Sequence, residues 1–120
     1  MPHTAVARFT LDDTLGALAD PTRRRVVEVL RRGPRRAGEL AATFRVSAPA
    51  MSQHLRVLRT RGLIEEERTG HDARLRVYRL RRERITALRQ WLEQLETFWR
   101  EQLDSFKEHA ERTRKGPLRG

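Results

Sequence analysis

Short amphipathic segments follow one another along the first half of the chain, and they predict four helices. In each segment the apolar residues recur at intervals of three or four, so they share one face of a helix. Asp20 is a favoured N-cap, and Pro21 suits the first helical position because its missing N–H would have no partner there in any case. The helices are expected at Leu11–Leu18, from Pro21 to a stop at Gly33-Pro34, at Ala37–Phe44 and at Ser47–Arg61.

Two strands follow the fourth helix. Leu63–Arg68 and Arg74–Leu80 have the composition of strands, and the Gly and Asp residues within 69–73 favour a turn between them. In the second strand, Tyr78 and Leu80 are expected to point inward. A helix-turn-helix followed by a β-hairpin is a winged helix-turn-helix. The expected fold is therefore mainly α with a small β-hairpin, in the order α-α-α-α-β-β-α.

Residues 83–110 predict one long helix with more apolar surface than a small domain can cover. Its apolar residues form two columns with a spacing of seven, and at 1.5 Å per residue the helix is about 40 Å long. Because a domain of about 80 residues cannot cover that length, a second copy of the chain is expected to pack against it. The residues expected in this homodimer interface are Ile85, Leu88, Trp91, Leu92, Leu95, Phe98, Trp99 and Phe106.

The composition fits a single small domain and excludes several classes of function. The chain has 120 residues and no cysteine, which excludes disulfides, thiolate metal sites and cysteine nucleophiles. No apolar run is long enough to span a membrane, and Met1–Arg8 lacks the apolar run of a signal peptide, so a cytoplasmic location is expected. Without a nucleophile elbow or a phosphate loop, an enzyme is not expected. The domain is expected at 9–110, between a flexible N-terminus at 1–8 and a flexible basic tail at 111–120.

The positive charge is concentrated in the middle of the chain. The 26 basic residues, nearly all of them arginines, exceed the 16 acidic residues by ten. Residues 21–62 hold 11 arginines against Glu28 and Glu39, a net charge of +9. A general preference for arginine does not explain this clustering. The expected partner is a polyanion, double-stranded DNA before an anionic membrane.

The fourth helix is expected to read DNA, because the second helix of a helix-turn-helix enters the major groove. Met51, Leu55 and Leu58 recur at i, i+4 and i+7 and are expected to face inward. The opposite face carries Gln53, which can bond both N6 and N7 of adenine, together with small, hydroxyl and basic residues. An ordinary solvated polar face is the alternative. The predicted reading face consists of Ser47, Ala48, Pro49, Ser52, Gln53, Arg56 and Arg59.

The predicted hairpin tip has the features of a wing that lies along the DNA backbone. It combines Arg68, His71 and Arg74 with a tight turn. The acidic run Glu65–Glu67 indicates that only the tip touches DNA, because phosphates would repel those carboxylates.

Three more residues are assigned to DNA with an alternative left open. Arg23 and Arg24 begin the second helix, where a helix N-terminus favours phosphate, and a solvated basic turn is the alternative. His54 lies near the inward face of the fourth helix, so it is either a packed histidine or a phosphate contact from the flank. A metal ligand is disfavoured, since no second ligand lies at helical spacing on this helix.

Four stretches, 18–23, 47–58, 62–64 and 77–80, carry a resemblance to a known family. The core S-x-H-L-x-x-L-x-x-x-G-L-[IV] runs unbroken from Ser52 to Ile64. Over residues 9–110 the chain resembles the ArsR family of bacterial transcriptional regulators. The resemblance implies a homodimeric repressor on a palindromic operator, with an interface made by the first and last helices. The first-helix residues of that interface are Leu11, Leu15 and Leu18.

Departures from the family pattern bear on what the protein senses. Metal-sensing members carry Cys-x-Cys at the start of the third helix, where this chain has Arg36 and Gly38. Others use Asp and His ligands on the last helix, and Asp104, Glu108 and His109 do not make such a set. The chain resembles the metal-independent, SdpR-like branch, with no cofactor, no metal and an unknown inducer. The alternatives are a non-specific architectural DNA-binding protein and a ligand- or metal-responsive repressor with a non-cysteine site.

Overall fold

A computed structural model describes residues 9–68 and 76–119, and within them the chain forms helices around a small antiparallel sheet. The predicted winged helix-turn-helix, with four helices before a pair of strands and a long helix after it, is confirmed. The chain divides into two units, one up to Ala87 and one from Leu88 onward. In order, the elements are α1 Leu11–Ala17, α2 Pro21–Leu30, β1 Arg35–Arg36, α3 Ala37–Phe44, α4 Ala48–Thr60, β2 Ile64–Arg68, β3 Arg76–Leu80 and α5 Arg82–Arg119.

Side-chain caps fix the starts of the first helices. The Asp20 carboxylate accepts the Arg23 backbone N–H at 3.0 Å, and Pro21 is the first residue of α2. The Ser47 hydroxyl accepts the Ala50 backbone N–H at 3.2 Å at the start of α4. Each cap satisfies a backbone donor that the helix itself cannot pair. These caps explain why α2 and α4 begin where the sequence predicted.

The core of the first unit lies where the inward faces of α2, α3 and α4 meet the sheet. Met51, Leu55 and Leu58 are fully buried, as predicted for α4. Burying a side chain of this size stabilises the fold by about 1.5–3 kcal/mol, so these three residues fix which face of α4 turns outward. The other buried apolar residues are Ala17, Val26, Leu30, Leu40, Leu63, Ile64 and Tyr78.

The sheet has the order β1-β3-β2, with both pairs antiparallel. The prediction of a two-stranded hairpin was incomplete, because Arg35 and Arg36 pair with Tyr78 and Val77 as a third, edge strand. A two-residue strand has no periodicity of its own, and its pairing spans more than 40 residues of sequence. Tyr78 is buried and Leu80 packs against the core, so their predicted inward orientation is confirmed.

Phe9, two residues before α1, makes a tight contact with the chain just after α4. The ring of Phe9 lies against Gly62, at the position that a Cβ atom would occupy. Gly62, two residues after the end of α4, has φ +84°, a left-handed conformation suited to glycine. Any side chain at position 62 would therefore be strained and would also collide with Phe9.

The last helix is longer than predicted. The sequence placed its end at residue 110 and a flexible tail after it, but α5 continues to Arg119. An ion pair of 3.9 Å between Glu108 and Arg112, at i and i+4, spans the predicted end and favours continuation. Within the described ranges, no helix is long and apolar enough to cross a membrane. The predicted flexible segment 1–8 lies outside the described residues.

Candidate nucleic-acid interface

The helix-turn-helix is formed by α3 and α4. Between them Arg45 takes a left-handed conformation, with φ 55° and ψ 42°, and makes a tight turn. The backbone N–H of Val46 then bonds to the carbonyl of Ala41 at 3.1 Å, which closes the end of α3. This turn and the Ser47 cap set the direction in which α4 leaves α3.

The outward face of α4 presents hydrogen-bonding groups to solvent. Ser52, Gln53 and Arg56 are exposed and lie opposite the buried stripe of Met51, Leu55 and Leu58. A hydroxyl, an amide and a guanidinium on one exposed helical face can make bonds to base edges and phosphates. At the start of the helix the small residues Ala48 and Pro49 are also exposed, and so are Ser47 and Arg59.

His54 faces the protein rather than open solvent. Its side chain is 22% exposed, and its Nδ1 lies 3.9 Å from Oδ2 of Asp20. The backbone N–H of Arg23 holds the pKa of the Asp20 carboxyl below its ordinary value; burial opposes that effect, and His54 adds to it. The packed position that the sequence left open for His54 is therefore the one observed, while a phosphate contact from this residue stays a prediction.

Arg23 and Arg24 have a structural role that the sequence did not reveal. The Arg23 guanidinium donates to the carbonyls of Ala17 at 2.7 Å and Gly16 at 3.3 Å, and Arg24 donates to the carbonyl of Leu18 at 2.7 Å. Both arginines thus bind carbonyls at and just after the end of α1. A guanidinium has five N–H donors, so these bonds leave others for a phosphate.

The described part of the wing pairs its acids with arginines. Each glutamate of β2 forms an ion pair with an arginine of β3 or with Arg81, which follows β3. The N–O distances are 3.5 Å for Glu65–Arg81, 3.3 Å for Glu66–Arg76 and 2.8 Å for Glu67–Arg79. Tyr78 donates to Glu66 at 3.3 Å, and burial chiefly raises the pKa of this tyrosine. Arg68 ends β2 opposite Arg76, whereas His71 and Arg74 lie outside the described residues. The wing contacts therefore remain predictions.

The residues predicted for a dimer interface are exposed to very different degrees. Leu15 is 42% exposed on α1, while Leu11 and Leu18 are half-buried; the residues that α1 buries are Thr14 and Ala17. On α5, Ile85 and Leu88 are half-buried. The exposed fractions of the others are Trp91 38%, Leu92 48%, Leu95 41%, Phe98 55%, Trp99 57% and Phe106 72%. Leu103, which was not among the predicted interface residues, is 61% exposed.

Arg36 and Gly38, which the family resemblance sets at the cysteine positions of metal-sensing members, lie at the start of α3. Arg36 precedes the helix and Gly38 is in its first turn, as the sequence indicated. In the part of the chain that the structure describes, no three His, Cys, Asp or Glu side chains are grouped so that they could hold a metal ion.

Comparison with known proteins identifies the family. A profile described as bacterial regulatory protein, arsR family, matches residues 20–66, from the cap of α2 into β2. The HTH-type transcriptional regulator Rv2034 of Mycobacterium tuberculosis is 44% identical over 90 residues, which cover 75% of this chain and 78% of that protein. The chain belongs to the ArsR family. The resemblance seen in the sequence is thereby confirmed.

Other ArsR-family proteins agree in sequence and in fold. The transcriptional repressor SdpR of Bacillus subtilis is 35% identical over half of this chain and 67% of its own length. The crystal structure of the ArsR family regulator RHA00566 has a TM-score of 0.67 at 36% identity, covering 74% of this chain and 94% of that one. An ArsR-like regulator from Rhodococcus sp. RHA1 has a TM-score of 0.75 at 30% identity, covering 84% and 90%. This ArsR-family protein is a DNA-binding transcriptional regulator, and its relatives are regulators rather than enzymes.

Proposed function

We propose that this ArsR-family regulator is a homodimeric repressor that recognises a palindromic operator through α4. The observation that carries the proposal is the division of α4 into a buried apolar stripe and an exposed face with Ser52, Gln53 and Arg56. The net charge of +9 in 21–62 supports DNA as the ligand, and SdpR, a relative, is named as a repressor. Such a protein acts in the cytoplasm, where bacterial DNA lies, without a metal or cofactor.

Base reading and backbone contact are divided between different residues in this proposal. Gln53 and Ser52 contact base edges, and Ala48 and Pro49 let the helix approach the groove closely. Arg56 contacts a phosphate or a guanine. The remaining backbone contacts come from Arg23, Arg24, Ser47, Arg68, His71 and Arg74, whereas His54 is packed against Asp20.

The exposed apolar residues of α5 support the homodimer. Trp99, Leu103 and Phe106 are each more than half exposed, on one helix of 38 residues. A contiguous apolar stripe of this length is characteristic of an interaction surface. In α1, the outward Leu15 adds to the apolar surface available to a second copy.

The sequence of α5 is self-complementary when two copies run antiparallel. A twofold axis between Glu93 and Gln94 brings Leu92 against the partner's Leu95 and Leu88 against the partner's Trp99. The same register brings Trp91 to the partner's Phe98 on one flank. On the other flank it brings Arg89 to the partner's Glu96, so opposite charges meet. One register thus satisfies the apolar and the charged positions together.

A cross-linking experiment tests the dimer and its register. The chain has no cysteine, so Leu92→Cys and Leu95→Cys can be introduced without background. The antiparallel register predicts a disulfide when the two variants are refolded together and oxidised, and none when either is oxidised alone, because only the 92–95 pair comes within disulfide range. A disulfide in Leu92→Cys alone would indicate a parallel pair. Monomers at micromolar concentration would contradict the homodimer itself.

A further inference from the structure

The reading helix carries a half-buried histidine that faces a carboxylate of another helix. His54 Nδ1 lies 3.9 Å from Asp20 Oδ2, and within the described residues it has no hydrogen-bond partner. The separation is too long for a hydrogen bond of the neutral ring. It is short enough for a favourable interaction between an imidazolium and a carboxylate.

Asp20 is held in place by α2, which it caps. Its Oδ2 accepts the Arg23 backbone N–H at 3.0 Å, and this bond is the main reason why the pKa of Asp20 is lowered. Asp20 therefore stays ionised throughout the neutral range. The Arg23 guanidinium is engaged with the carbonyls of Ala17 and Gly16 at the end of α1, so part of its donor capacity is used away from this carboxylate.

The acids of the other elements that pack on α4 have partners elsewhere. In α3, the Glu39 carboxylate accepts the backbone N–H of Arg36 at 2.9 Å. In β2, Glu65, Glu66 and Glu67 each pair with an arginine in or beside β3. Asp20 is thus the acid that the described residues bring to His54.

We propose that His54 is a positioning residue for DNA recognition, which on protonation pairs with Asp20 and fixes α4 against the start of α2. The inference rests on the proposed function, because it concerns how α4 is presented to an operator. His54 directly follows Gln53, so a contact that restrains this turn of α4 also restrains the base-reading side chain. Operator affinity should therefore be higher at pH 6 than at pH 8, because histidine is the side chain whose charge changes near neutral pH.

The test compares operator and random-sequence DNA affinity at pH 6 and pH 8 in the full-length protein, with the operator taken from selection on random DNA. The variants are Asp20→Asn, which keeps a good N-cap on α2 but removes the charge, and His54→Gln. In the wild type, the ratio of operator affinity to random-DNA affinity should rise about threefold from pH 8 to pH 6. A change of this magnitude corresponds to the interaction energy of a partly exposed ion pair. Both variants should lose that rise, and the control His109→Gln, an exposed histidine of α5, should keep it.

Loss of the pH effect in His54→Gln but not in Asp20→Asn would mean that His54 contacts DNA directly, and this would overturn the inference. An unchanged pH effect in both variants would overturn it as well. Any contribution of His3 and His71 persists in all these proteins and cancels in the comparison, and the control His109→Gln measures the contribution of His109.

A second measurement separates the inference from the proposed function. Without DNA, lowering the pH from 8 to 6 should raise the thermal midpoint of the wild type relative to that of Asp20→Asn, because the protonated pair forms only in the wild type. Equal shifts in the two proteins would refute the pairing. A relative rise in a protein that selects no DNA sequence would support the pairing and refute the operator-reading function.

Discussion

Arg84, in the first turn of α5, donates a hydrogen bond of 3.0 Å to the hydroxyl of Thr14, which is 1% exposed in α1. The same guanidinium nitrogen also donates to the carbonyl of Thr10 at 2.8 Å, and the guanidinium carbon lies 5.6 Å from the centre of the Phe9 ring. A single arginine thus joins the beginning of α1 to the beginning of α5.

Replacing this arginine should destabilise the fold. Arg84→Met keeps much of the packing but leaves the buried Thr14 hydroxyl without its donor, at a cost of about 1–3 kcal/mol. Denaturant unfolding of the variant measures this loss. Adding Thr14→Val to Arg84→Met removes the hydroxyl that has lost its donor, so the free energy of unfolding of the double variant should fall by less than the sum of the two single changes. Strict additivity would show that the bond does not contribute.

Gln53→Ala should weaken operator binding selectively. If the amide bonds both N6 and N7 on the major-groove edge of an adenine, its loss costs about 1–3 kcal/mol for each half-site on the preferred sequence. Binding to random DNA should change little, because Gln53 carries no charge. Affinities for both DNAs under one salt condition measure the difference. An equal loss on both DNAs would remove Gln53 from the base-reading residues.

Arg56→Gln should make the salt dependence of DNA binding shallower. Each phosphate contact contributes about 0.9 to the slope of log affinity against log salt, so a dimer that loses two contacts should lose about 1.8. Arg68→Gln and Arg74→Gln should act in the same way if the wing lies along the backbone. Arg112→Gln, which removes an equal charge from α5, is the matched control. A slope that falls equally in the control would indicate a general charge effect instead of contacts.

Acid should remove the stability that Thr10 and Asp13 give to the start of α1, where they form a capping box. The backbone N–H of Thr10 donates to the Asp13 carboxylate at 2.9 Å and is the main cause of the lowered pKa of Asp13. A lowered folded-state pKa means stability that is present above the ordinary carboxyl pKa and lost as pH falls through the folded-state value. Asp13→Asn should therefore lower the thermal midpoint at pH 6, and this deficit should shrink as the pH falls below the ordinary carboxyl pKa. A deficit that persists in acid would contradict this assignment.

Structural features that depend on residues close together in the sequence, such as helix starts and the buried face of one helix, could be predicted. Asp20-Pro21 and Ser47 set the starts of α2 and α4 because a cap bonds within three residues of itself. The spacing of Met51, Leu55 and Leu58 predicted the buried face of α4, because all three residues lie within this one helix. The predicted reading face followed from that spacing.

Features that depend on distant partners could not be predicted. The strand Arg35–Arg36 exists through its pairing with β3, and two residues carry no periodicity. Arg23 binds carbonyls that become available only where α1 ends, and His54 meets Asp20 across 34 positions of sequence. From the sequence, both Arg23 and His54 were assigned to DNA. The charge of a side chain does not tell whether it binds a phosphate or a group within the protein, such as a helix carbonyl.

The central claim is that two copies of α4 read the two halves of one operator. Selection of binding sites from random DNA by the wild-type protein, followed by sequencing, tests it most directly. The proposed dimer should enrich an inverted repeat whose half-site centres lie about 10–10.5 base pairs apart, one helical turn, as expected for a symmetric helix-turn-helix protein. Recovery of no preferred sequence, or of a single unrepeated motif bound by a monomer, would contradict it.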